Sequence, residues 1–212
     1  MDLPLALLSI LFAVIAAARI SKAFRNETRR ALTGVPETPI GAVKDGEKVR
    51  IKGRARGREP VRTSPLSQRP CIGFRVTVDS SEGDFGLWER VVEIETFDSF
   101  LLADDTGEAV LHTPFEIRLR AYAESSVDSA SPALASLLEK EGMPASEVFV
   151  PERHFRYAET ILSEGEEIVA VGRARIEIDP AGRAPSHRDP PVMVHMRADD
   201  AVVILANPAD AG

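Results

Sequence analysis

The hydrophobic pattern of the chain begins with an uncharged, apolar run from Leu3 to Ala18. As a helix these sixteen residues span about 24 Å, somewhat less than the roughly 30 Å hydrocarbon core of a bilayer. Arg19 and Lys22 follow the run, and their long side chains can reach the headgroups, which lets the span continue to about Phe24. The pattern therefore predicts a transmembrane anchor over residues 1–25.

Two other interpretations of this run stay open. It could be a buried core helix, although a helix that is apolar all round leaves no polar face for the solvent. It could also be a cleaved signal peptide with Ala16 to Ala18 at the cleavage site, but basic residues would then precede the run. Here they follow it, at Arg19, Lys22, Arg25, Arg29 and Arg30. The positive-inside rule predicts a single-pass anchor, a basic juxtamembrane linker over residues 26–37 and a soluble domain on the cytoplasmic side.

From residue 38 onward the pattern changes to short segments in which apolar and polar positions alternate. A period of two is typical of strands with one buried face, and these segments end at Gly, Pro, Asp or Ser. They include KVRIKGRARG, RPCIGFRVTVDS, WERVVEIETFDSF and EEIVAVGRARIEID. Asp105 to Gly107 predicts a tight turn between two of them. We predict a mainly β (α+β) domain over residues 38–212, with tandem OB-like or small-barrel units and one or two short helices.

The clearest helix signal starts at Ser131, a residue that can cap a helix, followed by Pro132 at the first helical position. Leucines then recur on one face until Gly142. A second turn of helix is predicted near Tyr157 to Leu162.

An internal repeat relates residues 45–56 to residues 164–175 at a constant offset of 119. The two segments, DGEKVRIKGRAR and EGEEIVAVGRAR, are identical at six of twelve positions. A repeat of this kind predicts two related β units, within residues 44–125 and 156–206, that pack together. Gly53 and Gly172 then mark a bend that helps a strand curl into a barrel. Chance similarity between two strands is the alternative.

Composition and charge exclude several classes of protein. Residues 1–62 carry 13 Lys+Arg against 6 Asp+Glu, whereas the rest of the chain carries 13 against 27. An acidic body with 6% aromatic residues argues against a nucleic-acid-binding protein. A single cysteine excludes a disulfide scaffold, a zinc ribbon and a RING finger. A basic start and an acidic body fit a protein that is held at a membrane surface.

Three groups of residues together resemble the GIDE domain, also called the BAM (beside-a-membrane) domain, of mitochondrial membrane-anchored ubiquitin ligases and bacterial proteins. The resemblance covers roughly Thr38 to Ala206. The first group is Ser64, Pro65, Leu66, Ser67, Arg69, Pro70 and Cys71; the second is Asp104, Asp105 and Gly107; the third is Arg156, Tyr157, Glu159 and Leu162.

The resemblance implies a β-rich domain beside a membrane helix. It does not imply ligase activity, because the RING finger that carries this activity is absent from the chain. The family's second, C-terminal membrane helix is also missing from the sequence. In the mitochondrial relatives the domain faces the intermembrane space, which makes the periplasmic side the alternative to the cytoplasmic orientation.

No recognisable catalytic constellation, cofactor motif or metal-ligand spacing follows from the residues. His112, His154, His187 and His195 lack any metal-binding spacing, and each is interpreted as a surface or half-buried residue. An alternative of a different class is a hydrolase-like or redox enzyme whose site combines Cys71, His112 and the Asp104/Asp105 turn. It requires these side chains to converge in one cleft.

The favoured prediction is a membrane-tethered, non-catalytic interaction module with a protein or lipid partner. Candidate contact residues are Arg50, Lys52, Arg54 and Arg56, whose period of two places them on one face of a strand, together with Phe85 in a Gly-rich loop and Trp88 after that loop. The basic face would lie against anionic headgroups. In the alternative, it pairs with acidic residues of a neighbouring strand such as Glu93 and Glu95, and Phe85 and Trp88 cap the core.

Overall fold

A computed structural model describes residues 34–82, 87–119, 123–127, 131–148, 153–179, 192–197 and 204–206. The predicted anchor at residues 1–25 and most of the predicted linker lie outside these residues. Within the described part of the chain, no helix is long and apolar enough to cross a membrane.

The described residues form a short 3-10 helix, two α-helices and a set of mostly antiparallel strands. The strands, in chain order, are β1 (Lys48–Gly57), β2 (Arg62–Thr63), β3 (Pro70–Cys71), β4 (Gly73–Glu82), β5 (Glu89–Phe97), β6 (Phe100–Ala103), β7 (Glu108–Leu111), β8 (Glu116–Arg118), β9 (Ala123–Val127), β10 (Arg153–Leu162), β11 (Glu167–Ile178), β12 (Val192–Met196) and β13 (Ile204–Ala206). The helices are the 3-10 helix (Ile40–Ala42), α1 (Pro132–Lys140) and α2 (Ala145–Val148).

Five of the strands close into a barrel. Its order is β1, β6, β7, β12, β11 and back to β1, and every pair is antiparallel except β7 with β12. Strands β13 and β8 continue the sheet from β11. Apolar side chains fill the interior, among them Val49, Ile51, Phe100, Leu111 and Met196. The predicted mainly β class and the small barrel are confirmed.

Strand β1 shows why the alternating sequence builds this barrel. Val49, Ile51 and Ala55 are fully buried in the barrel core, and the basic residues between them point outward. Burying one face of each strand removes its apolar side chains from water, at about 25 cal/mol per Å² of apolar surface. Polar positions remain on the outside, so the period of two fixes the register.

The second layer is a four-stranded sheet in the order β5, β4, β10, β9. Helix α1 packs against it through Leu134 and Leu138, which share a core with Val76, Val78 and Phe155. Its strands come from two segments of the chain: β4 and β5 lie between β1 and β6, and β9 and β10 lie between β8 and β11. The chain therefore builds one closed barrel and one open, helix-covered sheet.

The prediction of helix α1 is confirmed, and that of a helix near Tyr157 to Leu162 is wrong. The backbone N–H of Leu134 donates to Ser131 Oγ at 3.3 Å, and Pro132 is the first helical residue. Residues Tyr157 to Leu162 instead belong to β10, which pairs with β4 along its whole length. Pairing with β4 along the whole strand, and with β9 over Phe155 to Glu159, satisfies the backbone of β10 and overrides its local propensity.

The two repeat segments pair with each other. Strands β1 and β11 run antiparallel, with Lys48 opposite Arg173 and Arg54 opposite Glu167. In the repeat, Lys48 is equivalent to Glu167 and Arg54 is equivalent to Arg173. Exchanging equivalent residues turns the first of these strand pairs into the second, so the two paired strands are related by a local twofold axis at their centre. We call the paired halves of β1 and β11 the central ribbon, residues 48–54 and 167–173.

Hydrogen bonds at the two ends of the central ribbon obey the same axis. Gly46 N donates to Ala174 O at 2.9 Å, and Gly165 N donates to Ala55 O at 2.8 Å. Both glycines have positive φ, 75° and 76°, which only glycine adopts readily. The same two alanines also donate hydrogen bonds in equivalent positions. Ala174 N donates to Glu47 O at 2.9 Å, and Ala55 N donates to Glu166 O at 2.8 Å.

Acidic side chains before the two glycines repeat the symmetry once more. Asp45 Oδ1 accepts from Ile176 N at 2.9 Å, and Glu164 Oε2 accepts from Gly57 N at 2.8 Å. Beyond the ribbon each long strand changes partner, β1 to β6 and β11 to β12. The repeat is thus a symmetric turn-and-strand unit used twice in one barrel.

Candidate functional site

Two of the three groups of residues that resemble the GIDE/BAM domain, those of Leu66 and Ser67 and of Glu159, meet at a buried carboxylate. Glu159 on β10 is fully buried. Its Oε1 accepts from Leu66 N at 2.9 Å and its Oε2 from Ser67 N at 3.0 Å. Both oxygens therefore hold the turn that links β2 to β3, 92 or more residues away in the chain.

The hydroxyl groups of this turn bond within it. Ser64 Oγ lies 2.8 Å from Ser67 Oγ and accepts from Arg69 N at 3.2 Å. Ser64 N donates to Arg69 O at 2.9 Å, and Pro65 O accepts from the Gln68 side chain at 2.8 Å. Because these groups satisfy each other, the turn from Ser64 to Pro70 is a rigid element.

Asp104 holds a second structural turn, between β6 and β7. Its Oδ1 accepts from Thr106 N at 2.7 Å, from the Thr106 hydroxyl at 2.6 Å and from Gly107 N at 2.9 Å. Its Oδ2 accepts from Ile40 N at 2.8 Å. Burial acts to raise the pKa of Asp104, but these hydrogen bonds outweigh it and lower the pKa. The carboxylate is thus engaged in the turn predicted from the sequence.

The structure gives Cys71, His112 and Asp104 different partners. Cys71 is 1% exposed, and burial, followed by the negative charge of Glu159, raises the pKa of its thiol. A buried thiol with a raised pKa is a poor nucleophile. His112 instead contacts His195. The described residues do not bring together the three side chains that the enzyme alternative requires.

The contact between His112 and His195 was not predicted from the sequence. Nε2 of His112 lies 2.8 Å from Nδ1 of His195, and the ring centroids are 5.1 Å apart with planes 19° apart, so the nearly coplanar rings meet edge to edge through these nitrogens. Arg197 forms an ion pair with Glu177, whose Oε2 is 3.9 Å from His195 Nε2. Among the described residues, no group of three or more His, Cys, Asp or Glu side chains has the geometry of a metal site.

The basic residues of β1 point outward, and three of them pair with acidic residues on the barrel. Arg50 pairs with Glu37 at 3.3 Å, Lys52 with Glu167 at 3.0 Å and Arg56 with Glu108 at 2.9 Å. Arg54 donates to Gly165 O at 3.1 Å. Pairing with acidic neighbours is the arrangement given above as the alternative to lipid contact, but the partners differ from those named there.

Glu93 and Glu95 are not the partners because β5 belongs to the second sheet. There both acids pair with Arg75 on β4, with N–O distances of 2.6 and 3.8 Å. The sequence alternation identified the faces of the strands and left open which strands are neighbours.

The N-terminal segment joins the barrel on the outer face of the central ribbon. Glu37 forms a parallel bridge with Arg50, and Thr38 N donates to Arg50 O at 2.8 Å. Val35 packs against Val169 and Val171, which point outward from β11 yet are only 2% exposed. Val35 to Thr38 therefore lie on the outer face of the central ribbon.

Trp88 directly precedes β5 of the second sheet and is 38% exposed. The Arg156 guanidinium carbon stands 4.7 Å from the centre of its ring, a cation–π contact. Leu87 next to it is 94% exposed and borders an open groove that Arg90, Met143 and Arg153 also line. Phe85, the other predicted aromatic contact, lies outside the described residues.

No known protein family, curated protein or solved structure matches the chain. The resemblance to the GIDE/BAM domain stays a prediction from the sequence.

Proposed function

We propose that the chain is a membrane-tethered, non-catalytic interaction module that binds a protein or lipid partner at the membrane surface. The observation that carries the proposal is the position of Val35, which attaches the N-terminal segment to the outer face of the central ribbon. Residues 3–18 of that segment are uncharged and apolar. An anchor formed by them would hold the basic face of the ribbon close to the bilayer.

The charges of the ribbon support a contact with anionic lipid. Lys48 lies directly opposite Arg173, and like charges opposite each other in a sheet reduce stability. At the symmetry-related position Arg54 lies opposite Glu167, and these two residues carry opposite charges. A lipid phosphate beside Lys48 and Arg173 would relieve the repulsion, and each basic residue near an anionic surface contributes about 1 kcal/mol.

The barrel topology supports an interaction role. In chain order its strands follow the arrangement 1-2-3-5-4-1, with the third and fifth strands parallel, which supports the OB-like barrel predicted from the sequence. Such barrels bind ligands on their outer face and connecting loops. The acidic and thiol groups of Asp104, Glu159 and Cys71 serve turns and core, which fits binding better than catalysis.

Fractionation and protease digestion of the full chain with a C-terminal tag test the proposal. We expect recovery in the membrane fraction after carbonate extraction, and digestion of the tag in inverted vesicles only. Digestion in intact spheroplasts would place the domain on the periplasmic side. Recovery in the soluble fraction would overturn the proposal.

A pair of substitutions makes this test specific. Leu11→Asp puts a charge in the middle of the apolar run, at a cost of about 3 kcal/mol for a spanning helix, and we expect it to shift protein out of the membrane fraction. Leu32→Asp, in the basic linker, is the control and should leave the distribution unchanged. Equal behaviour of the two variants would contradict an anchor over residues 1–25.

A further inference from the structure

The seam between β7 and β12 is the one parallel contact in the closed barrel. Three residue pairs form it: Ala109 with Val194, Val110 with His195 and Leu111 with Met196. Just beyond the seam, His112 N donates to Met196 O at 2.9 Å. Parallel pairing is slightly less stable per residue than antiparallel pairing, so side-chain contacts across this seam matter for closure.

The histidine pair lies across this seam on the outside of the barrel. Val194 and Met196 point into the core, so His195 between them points outward. His112 follows β7 and reaches its ring to that of His195, at 2.8 Å between Nε2 and Nδ1. In this geometry one ring must donate a proton and the other must accept it, so at least one of the two nitrogens is unprotonated.

Charged residues of both signs face the two rings. Arg175 lies directly opposite His195 on β11, and Glu177 pairs with Arg197 next to His195. The charged residues that act on the rings are Arg58 after β1, Glu177 on β11, Asp179 after β11 and Arg197 after β12.

Burial is the largest cause that lowers the pKa of each ring below the usual histidine value. For His112, the positive charges of Arg197, His195 and Arg58 act in the same direction. For His195, Glu177 opposes burial, and Arg197 adds to it. Both rings therefore favour the neutral form in the closed barrel.

We propose that the His112–His195 pair makes closure of the barrel pH-dependent: two neutral rings hold β12 against β7, and acidification releases β12. The hydrogen bond forms when one of the two facing nitrogens, His112 Nε2 or His195 Nδ1, carries a proton and the other does not. It is lost when both of these nitrogens are protonated. Separation of the strands exposes both rings to water, where they take up protons freely. The closed barrel and the opened seam thus differ in the number of protons they bind.

The sign and size of the effect follow from this difference. A group whose pKa is lowered in the closed state stabilises that state above its ordinary pKa, near 6.5, and less so as the pH falls below it. Between pH 7.5 and 5.5, opening becomes roughly tenfold more favourable for each ring that stays neutral in the closed state, and about 100-fold for two.

Hydrogen exchange of the full chain in lipid nanodiscs measures this opening. After correction for the intrinsic pH dependence of exchange, we expect the protection of the His112 amide, which donates across the seam to Met196 O, to fall at least tenfold from pH 7.5 to 5.5. Protection in β4 and β10 of the second sheet should not fall in parallel. A fall of less than threefold at the His112 amide, or an equal fall in both sheets, overturns the proposal.

Variants distinguish an effect of the His112–His195 pair from a general effect of acid on the protein. In the double variant His112→Gln and His195→Gln we expect the selective fall to disappear, whereas His154→Gln on β10 should keep it. Retention of the full fall in the double variant overturns the proposal.

Nitrogen-15 spectra of the histidine rings in the unmutated chain provide a second test that needs no variant. The proposal requires a hydrogen-bonded neutral pair at pH 7.5, and independent titration of both rings near 6.5 overturns it.

Discussion

Replacement of Glu159 by Gln tests whether the buried carboxylate organises the turn from Ser64 to Pro70. The carboxylate accepts from two successive backbone N–H groups, Leu66 N at 2.9 Å and Ser67 N at 3.0 Å, and is fully buried. A glutamine keeps one acceptor oxygen and turns its amide N–H₂ toward the second N–H. One of the two bonds is lost, and two donors face each other without an acceptor.

The magnitude follows from these contacts. A hydrogen bond to a charged group contributes about 1.5–3 kcal/mol, and an orphaned buried donor costs about 1–3 kcal/mol. Part of this loss is offset because the glutamine no longer carries a charge into the interior. We expect Glu159→Gln to lower the free energy of unfolding by about 2–4 kcal/mol, or about 4–16 °C in Tm for a protein of this size.

Urea denaturation followed by tryptophan fluorescence measures the change, because the chain has a single tryptophan, Trp88, in the sheet that contains β10. Glu167→Gln is the matched control. Its carboxylate is 44% exposed and pairs with Lys52 at 3.0 Å, so removal of its charge should change stability by no more than about 1 kcal/mol. A loss below about 1 kcal/mol in Glu159→Gln, or equal losses in the two variants, would refute this explanation of the turn.

Two further predictions concern the barrel and the second sheet. Gly53→Ala places a Cβ atom 2.5 Å from the backbone oxygen of Ala103 and should destabilise the barrel by about 1–3 kcal/mol through overpacking. In the control Gly57→Ala, the Cβ atom has no neighbour closer than 3.4 Å, and the loss of stability in the same urea titration should be less than half as large. Burial raises the pKa of Asp79, but hydrogen bonds from Arg90 and Arg156 outweigh it and lower the pKa below its ordinary value near 3.8. The stability that Asp79 contributes is therefore present above pH 3.8 and lost as the pH falls further. Asp79→Asn should be less stable than the unmutated chain at pH 6 and should lose less stability between pH 5 and 2.5. Thermal melts in which both proteins lose the same stability over this acid range would contradict the prediction.

Local features of the structure could be predicted from the sequence where neighbours in the chain determine them. The alternation in β1 identified the buried face, Ser131 identified the start of α1, and the residues after Asp104 identified a turn. Each of these depends on contacts within a few residues, and so a local pattern is sufficient.

Contacts between distant segments could not be predicted in this way. His112 and His195 are 83 residues apart, and Glu159 is 92 residues from Ser67. No local spacing predicts either contact, because the fold alone brings the residues together; Ser67 and Glu159 stood out only through the family resemblance. The prediction of a helix near Tyr157 was wrong for the same reason, because pairing with β4 determines the conformation of β10.

The central ribbon has a consequence for how the chain is made. Strand β1 ends at residue 57 and its symmetric partner β11 begins at residue 167, so the ribosome must add about 110 residues, over roughly 6–22 s, before the two can meet. Closing a loop of this length also slows the search for the native pairing. During synthesis the edge of β1 that pairs with β11 therefore stays unpaired for this time, and an unpaired strand edge can mispair with other chains.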